Sequence, residues 1–467
     1  MAMRSTERIN KNYKLVPPDG GWGYMICVGV IINLVVLRGF TNSHGAIYKE
    51  RFLELDMSTT SVSVLNCLGT LCISVSGFST GFLLKHTSIR TLGLIAAFFY
   101  STGLFTSTLC DTEGLFFIFQ GILQNIGHGL MINLCFTIIN QYFRKKRLYA
   151  MSIVQTAPAL AVLVTPKLVK WIFDRYGSHW TLLLLSAVSL NNVLAFTIMQ
   201  PVSLNMNKEL PENKEIALKT LLRDKKSNTS ISSNLSNETN SLHRHKLNAH
   251  KGNIITRFKE TKLYKNFILS NACLGLSICL FSDVKFVSML PQALYYMGWN
   301  EALVARALML FGLGNLLTRM LFVYISKWLT KLGTHDIYVV GLLIACLSRL
   351  GMLWSDNRII MQSFLVIVGL ARAVIEILHP LVIADCVSAE NFSYALGVSM
   401  LAFGLISVVF GPIISAIREL TDSYATAFYI LTSCFAITVI FWTIELVYKR
   451  NAHKRKPKRF PISNENI

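Results

Sequence analysis

Runs of about twenty apolar residues, repeated along nearly the whole chain, constrain this sequence more than any other feature. At 1.5 Å per residue such a run spans about 30 Å, the hydrocarbon thickness of a bilayer. No water reaches backbone polar groups in hydrocarbon, so a crossing segment must be a helix or part of a closed barrel. Barrel strands alternate apolar and polar residues over about ten positions, and these runs do not. Helical spans are expected at 21–41, 61–84, 91–110, 115–141, 148–171, 180–203, 266–292, 302–325, 336–355, 358–384, 394–417 and 424–448. Composition agrees: of 467 residues 52% are hydrophobic and only 15% charged, with mean hydropathy +0.47.

The formal net charge of +20 would suit a nucleic-acid partner if it formed one patch. It does not. The basic residues concentrate before the first span, at Arg144-Lys145-Lys146-Arg147, in 202–265 and after 448, all loops on one side of a twelve-span topology. That is the positive-inside pattern, so both termini are expected in the cytoplasm and no nucleic acid is expected as partner. Segment 204–265 is polar and rich in Lys, Ser and Asn; too little apolar surface offsets its ordering, which predicts a flexible linker. The chain thus reads as a tail (1–20), a six-helix bundle (21–203), the linker (204–265), a second six-helix bundle (266–448) and a basic tail (449–467). A weak repeat relates the halves: Leu148-Tyr149-Ala150 with Pro166 recurs as Tyr394-Ala395-Leu396 with Pro412. Glycosylation patterns at Asn228, Asn234, Asn237 and Asn391 fall on the inner side and are expected to stay unused.

Charges inside spans each cost about 2.5–3.5 kcal/mol on insertion scales, so each needs a reason. The charged candidates are Arg38, Asp283, Lys285, Arg306, Arg319, Arg349, Arg372 and Glu376; His44, His128 and His379 add titratable groups. Arg38 and His44 lie where their side chains can snorkel to water. Arg349 is expected to contact backbone carbonyls. Asp283 and Lys285, two apart, face different sides of their helix. Arg319 has Asn315 one turn earlier on its face. Its planar fork suits a carboxylate ligand, or equally a permanent ion pair with Glu376. Arg372 and Glu376, four apart, can also neutralise each other.

Nothing in the sequence points to an enzyme. There is no Walker loop, no G-x-G-x-x-G and no H-E-x-x-H. The ten cysteines form no C-x-x-C and read as small hydrophobes. Neither a cofactor nor a metal is expected, and the polar first 20 residues do not resemble a cleaved signal.

At Asp19-Gly20-Gly21-Trp22-Gly23-Tyr24, and again at Tyr142-Phe143-Arg144-Lys145-Lys146-Arg147-Leu148-Tyr149-Ala150, the chain resembles the monocarboxylate transporter family of the major facilitator superfamily. Leu290-Pro291-Gln292, Gly314 to Arg319, Asp385, Phe392 to Gly397 and Gly411-Pro412 also look like family positions. The resemblance implies an all-α membrane protein with a major facilitator fold. Two six-helix bundles would rock around a central site in the plasma membrane. Arg319 falls where the family's arginine takes the substrate carboxylate, with Asn315, Asn42, Phe40 and Asn133 as cavity neighbours by family position. Some relatives need a single-span ancillary glycoprotein, and the resemblance permits one here. Two departures stand out. Proton-coupled members carry an aspartate four residues before that arginine, where this chain has Asn315. They also carry a lysine in the first span, where Phe40-Thr41-Asn42 stands. Asparagine carries no proton near neutral pH, so facilitated diffusion of a small organic anion is the expected mode. Proton symport would need His128, Glu376, Asp283 or His44 instead. Two further readings stay open: a carrier of zwitterions, with Glu376 or Asp283 facing an amine, and a non-transporting sensor or scaffold.

Overall fold

Polar caps mark where several of the helices begin. Ser58, Ser88, Thr112, Asn300 and Asn357 accept hydrogen bonds from backbone N–H groups of the first turns that follow them, satisfying donors that a helix start leaves unpaired. The computed structural model of the protein describes residues 14–39, 44–209, 267 and 270–454. Most of the linker, Phe40 and Asn42 lie outside them. The first bundle contains α1 (Trp22–Gly39), the short α2 (His44–Glu54), α3 (Thr59–Leu83), α4 (Ile89–Ser107), α5 (Glu113–Tyr142), α6 (Arg147–Ser189) and α7 (Asn191–Ile198). A π-helical stretch at Phe117–Leu123 interrupts α5. The second contains α8 (Asn271–Tyr296), α9 (Glu301–Leu332), α10 (Thr334–Trp354), α11 (Arg358–Cys386), α12 (Phe392–Thr421) and α13 (Tyr424–Lys454).

Among the described residues, eleven helical runs are long and apolar enough to cross a membrane. The longest, Arg147–Ile198, has 52 residues, about twice what one crossing needs. Its backbone leaves helical geometry at Gly177, φ +78° and ψ 177°, a conformation that glycine tolerates because it has no Cβ. The outward faces are oily: Phe98, Leu317, Leu347, Val409 and Ile440 are exposed in the middle of their helices. Such a surface suits lipid contact far better than water.

Small residues set how closely helices approach. A Cβ at Gly369 on α11 would lie 2.1 Å from the Phe311 carbonyl oxygen of α9, and one at Gly314 on α9 would lie 2.4 Å from the Val366 oxygen of α11. The two backbones therefore meet through glycine on both sides, as membrane helices commonly do. That approach carries Arg319 of α9 to Glu376 of α11. Between the bundles α3 packs on α12 in the same way: a Cβ at Gly397 would stand 2.8 Å from the Gly77 oxygen.

The only strand pair among the described residues joins β1 (Lys14–Val16) to β2 (Asn207–Glu209), antiparallel. It ties the chain start to the segment that follows α7, so both leave the first bundle at one end.

Candidate functional site

Five charged side chains form a continuous chain of alternating sign inside the second bundle. Arg319 begins it, with only 3% of its surface exposed. Its Nε donates to Asn315 Oδ1 at 2.7 Å, the contact that their one-turn spacing allows. Nη1 donates to the backbone oxygen and to Oε1 of Gln155 on α6, at 3.1 and 3.2 Å, so the first bundle reaches this guanidinium directly. Nη2 pairs with Glu376 Oε2. The other carboxylate oxygen of Glu376 accepts from Arg372 Nε at 2.9 Å. Arg372 Nε also lies 3.2 Å from Asp283 Oδ2 on α8. Asp283 Oδ1, in turn, accepts from Arg349 Nη2 on α10 at 2.8 Å.

Alternation is what makes this burial tolerable. Several kcal/mol of desolvation per ion must be offset by close partners, and here every carboxylate touches two guanidiniums. Aromatic faces add to the compensation. The Arg349 guanidinium lies between the Phe286 and Phe435 rings, 4.1 and 4.2 Å from their centroids, and Arg372 lies 5.6 Å from the Phe311 centroid; cations are attracted to such faces. Three guanidiniums face two carboxylates, so one positive charge is left over. Arg38 of α1, 5.9 Å from the Phe136 ring and within the field of Glu376 and Arg372, adds another. The excess is cationic, and the Arg319 end of the chain lies where α6 meets α9.

The structure distributes the other expected site residues as follows. Asn315 is beside Arg319. Asn133 is not: its Nδ2 donates to the oxygens of Gly77 and Ser393 at 2.8 and 3.0 Å, and its Oδ1 accepts from Ser393 Oγ at 2.9 Å. It joins the bundles through α5, α3 and α12. His128 stands edge-on to Tyr100, centroids 6.0 Å apart, within the first bundle. Lys285 turns away from Asp283 to Ser415, at 3.0 Å, as the different faces require. Arg349 contacts a carboxylate and two rings where backbone carbonyls were expected; burial at 0% exposure favours a full counter-charge over partial dipoles. Gln155 was not expected at all. Nothing in the local sequence indicates its partner. Its Oε1 faces Arg319, and its Nε2 is a buried donor without a protein acceptor.

The two family motifs turn out to be one structure at the end of the bundle that holds the strand pair. Asp19 Oδ1 accepts from the backbone N–H groups of Arg144, Lys145 and Lys146 at 2.6, 2.9 and 3.3 Å, and the Asp19 N–H donates to the Tyr142 oxygen at 3.2 Å. Gly20 and Gly21 carry the chain from Asp19 into α1. Gly21 has φ +55°, which explains glycine at that position. Trp22, 38% exposed, opens α1, and Gly23 leaves room for the Phe143 ring, which a Cβ would approach to 2.9 Å. Arg147 Nε donates to the Phe143 oxygen at 3.2 Å, and its Nη1 reaches to 3.8 Å from Asp385 of the second bundle.

With this geometry in hand the comparisons with known proteins are decisive for the family. The profile of the Major Facilitator Superfamily matches residues 24–331 and 272–464. The chain belongs to the major facilitator superfamily. It is 22% identical over 469 residues to monocarboxylate transporter 12 of Homo sapiens, covering 96% of this chain and 84% of that one. It is also 27% identical over 190 residues to monocarboxylate transporter 9 of Gallus gallus, covering 40% and 37%. It is a divergent member of the monocarboxylate transporter branch, in agreement with the motif resemblance. Solved structures confirm the fold. The proton:xylose symporter XylE aligns with TM-score 0.64 at 12% identity, covering 90% of this chain and 95% of that one. The human organic anion transporter MFSD10 aligns with TM-score 0.61 at 14% identity, covering 91% and 100%. These relatives and neighbours are membrane transporters, not enzymes, and this chain is a secondary transporter of the same superfamily.

Proposed function

We propose that this protein moves a small organic anion, a monocarboxylate or related carboxylated metabolite, across the plasma membrane by alternating access and facilitated diffusion. The observation that carries the reading is the cationic excess around Arg319 where α6 meets α9. An anion entering there completes the charge balance, whereas an amine would add to the imbalance. Arg319 would take the carboxylate, and Gln155 Nε2 would offer a second donor from the opposite bundle. In this reading Asn315 orients the guanidinium and carries no proton itself. Twelve crossings, counting the two arms of Arg147–Ile198 separately, would place both termini in the cytoplasm, with bundles at 21–203 and 266–448 joined by the linker 204–265. The strand pair supports this arrangement, since it holds the chain start and the segment after α7 at one end.

Uptake of a monocarboxylate panel into proteoliposomes, comparing wild type with Arg319→Lys, tests the reading. Lysine keeps the charge and loses the planar fork. Uptake should fall by roughly 10-fold or more, the size expected when one bidentate contact worth about 1.5–3 kcal/mol is lost. Unchanged uptake in the lysine variant rejects bidentate carboxylate binding. Uphill accumulation that collapses with the proton gradient rejects facilitated diffusion.

A further inference from the structure

Arg319 has five N–H donors, and the protein already engages four of them: one with Asn315, two with Gln155 and one with Glu376. A carboxylate that is to take two parallel hydrogen bonds on the Nη2 side must therefore displace Glu376. The neighbouring geometry makes that exchange balanced. Glu376 Oε1 is held independently by Arg372 at 2.9 Å, so releasing Arg319 does not strand its charge. Arg372 also keeps Asp283 at 3.2 Å, and Asp283 keeps Arg349 at 2.8 Å. The chain from Glu376 to Arg349 stays fully paired while a ligand anion takes the one partner given up.

We propose that Glu376 is an internal counter-ion that competes with the substrate carboxylate for Arg319, setting the affinity of the site and neutralising Arg319 when the unloaded carrier returns. This rests on Arg319 being the carboxylate contact. In the superfamily branch that the chain resembles, proton-coupled members place a carboxylate one turn before the arginine. Here that position is Asn315, and a carboxylate from α11 reaches the same guanidinium. The competition keeps ligand binding weak enough to release, since each bound anion must replace an existing ion pair, and discrimination follows from the difference between the two pairings.

The test uses full-length protein purified in detergent, with thermal unfolding followed during titration with sodium acetate against sodium chloride at matched ionic strength. Acetate is the smallest carboxylate with the needed fork-matching group, so it makes no demand on the shape of the rest of the site. Four forms are compared: wild type, Glu376→Gln, Arg319→Gln and the double variant. Removing the competitor should lower the half-saturating acetate concentration of Glu376→Gln about tenfold, within the usual range for coupled sites, and the double variant should lose that gain. If Glu376→Gln binds acetate no more tightly than wild type, the counter-ion role is overturned whatever Arg319 does. A gain that survives in the double variant places the anion elsewhere and overturns the Arg319 reading itself. Should Glu376→Gln fail to fold, Glu376→Asp keeps the charge but draws it back by one methylene. It should show a smaller gain of the same sign, and no gain there also overturns the proposal.

Discussion

Arg349 shows what a fully buried charge requires at the level of one residue. It is 0% exposed, and a carboxylate and two aromatic faces surround it. Breaking a buried pair by removing one partner leaves an uncompensated charge and costs on the order of 3–5 kcal/mol, whereas replacing both partners by apolar groups costs far less. Arg349→Met is therefore expected to lower the thermal midpoint of the purified protein sharply. Asp283→Asn in the same background should recover part of the loss, because Asp283 would otherwise retain only Arg372. An unchanged midpoint for Arg349→Met would show that the pair contributes nothing to stability. Gln155 illustrates a different rule. Through its backbone oxygen and its side-chain Oε1 this residue of the opposite bundle satisfies two donors of Arg319, and its Nε2 keeps one donor of its own. Gln155→Leu should reduce transport with little loss of fold, measured as uptake normalised to protein reconstituted. Full activity in that variant would remove Gln155 from the site.

At the scale of elements the two family motifs become intelligible as one device. A tight turn between α5 and α6 leaves three successive N–H groups without helical partners. Asp19, delivered by the segment before α1, accepts from all three. The motifs are more than a hundred residues apart in the chain, yet each satisfies the other. A capping side chain of this kind is worth about 0.5–2 kcal/mol. Asp19→Ala should therefore lower the thermal midpoint, and Asp19→Asn, which keeps an acceptor but no charge, should fall between it and wild type. Equal midpoints for all three forms would contradict the cap. The glycines at 314 and 369 work on the neighbouring scale of a helix pair: by letting α9 and α11 touch backbone to backbone, they help bring Arg319 and Glu376 into contact.

Taken as a whole molecule, the protein consists of two bundles whose contact is strongest where α3 meets α12. The Asn133 side chain bridges Gly77 and Ser393 there, Lys85 sits 4.7 Å from the Tyr394 ring centroid, and Arg147 approaches Asp385. If alternating access opens this end, a covalent link across it must stop transport. In a Cys386→Ser background, since Cys386 is an exposed thiol at this end, a short bifunctional thiol reagent can join Arg147→Cys to Asp385→Cys, whose native side chains approach to 3.8 Å. The cross-linked protein should lose most of its transport and regain it when a disulfide-containing linker is cleaved with dithiothreitol, while each single variant stays insensitive. Undiminished transport by the cross-linked form, with linkage confirmed by mass spectrometry, would rule out separation of the bundles at this end.

What the sequence by itself determined was everything set by local chemistry and by the solvent. Apolar runs too long for a soluble core dictate helices in lipid, and one-sided basic loops predict which end of the bundles faces the cytoplasm. The motif at Asp19 and the arginine at 319 indicate the family, the arginine because a guanidinium inside an apolar span is costly unless used. The i, i+4 pairs Asn315–Arg319 and Arg372–Glu376 were legible for the same reason, since helical spacing alone brings them together. Tertiary structure decided which of the possible partners each charge took. Glu376 faces both Arg319 and Arg372, Asp283 links Arg372 to Arg349, Asn133 lies at the bundle contact instead of beside Arg319, and Gln155 crosses from the other half. Those pairings join residues tens to hundreds of positions apart, and they depend on how closely glycine lets particular helices approach, a property of packing that no single stretch of sequence contains.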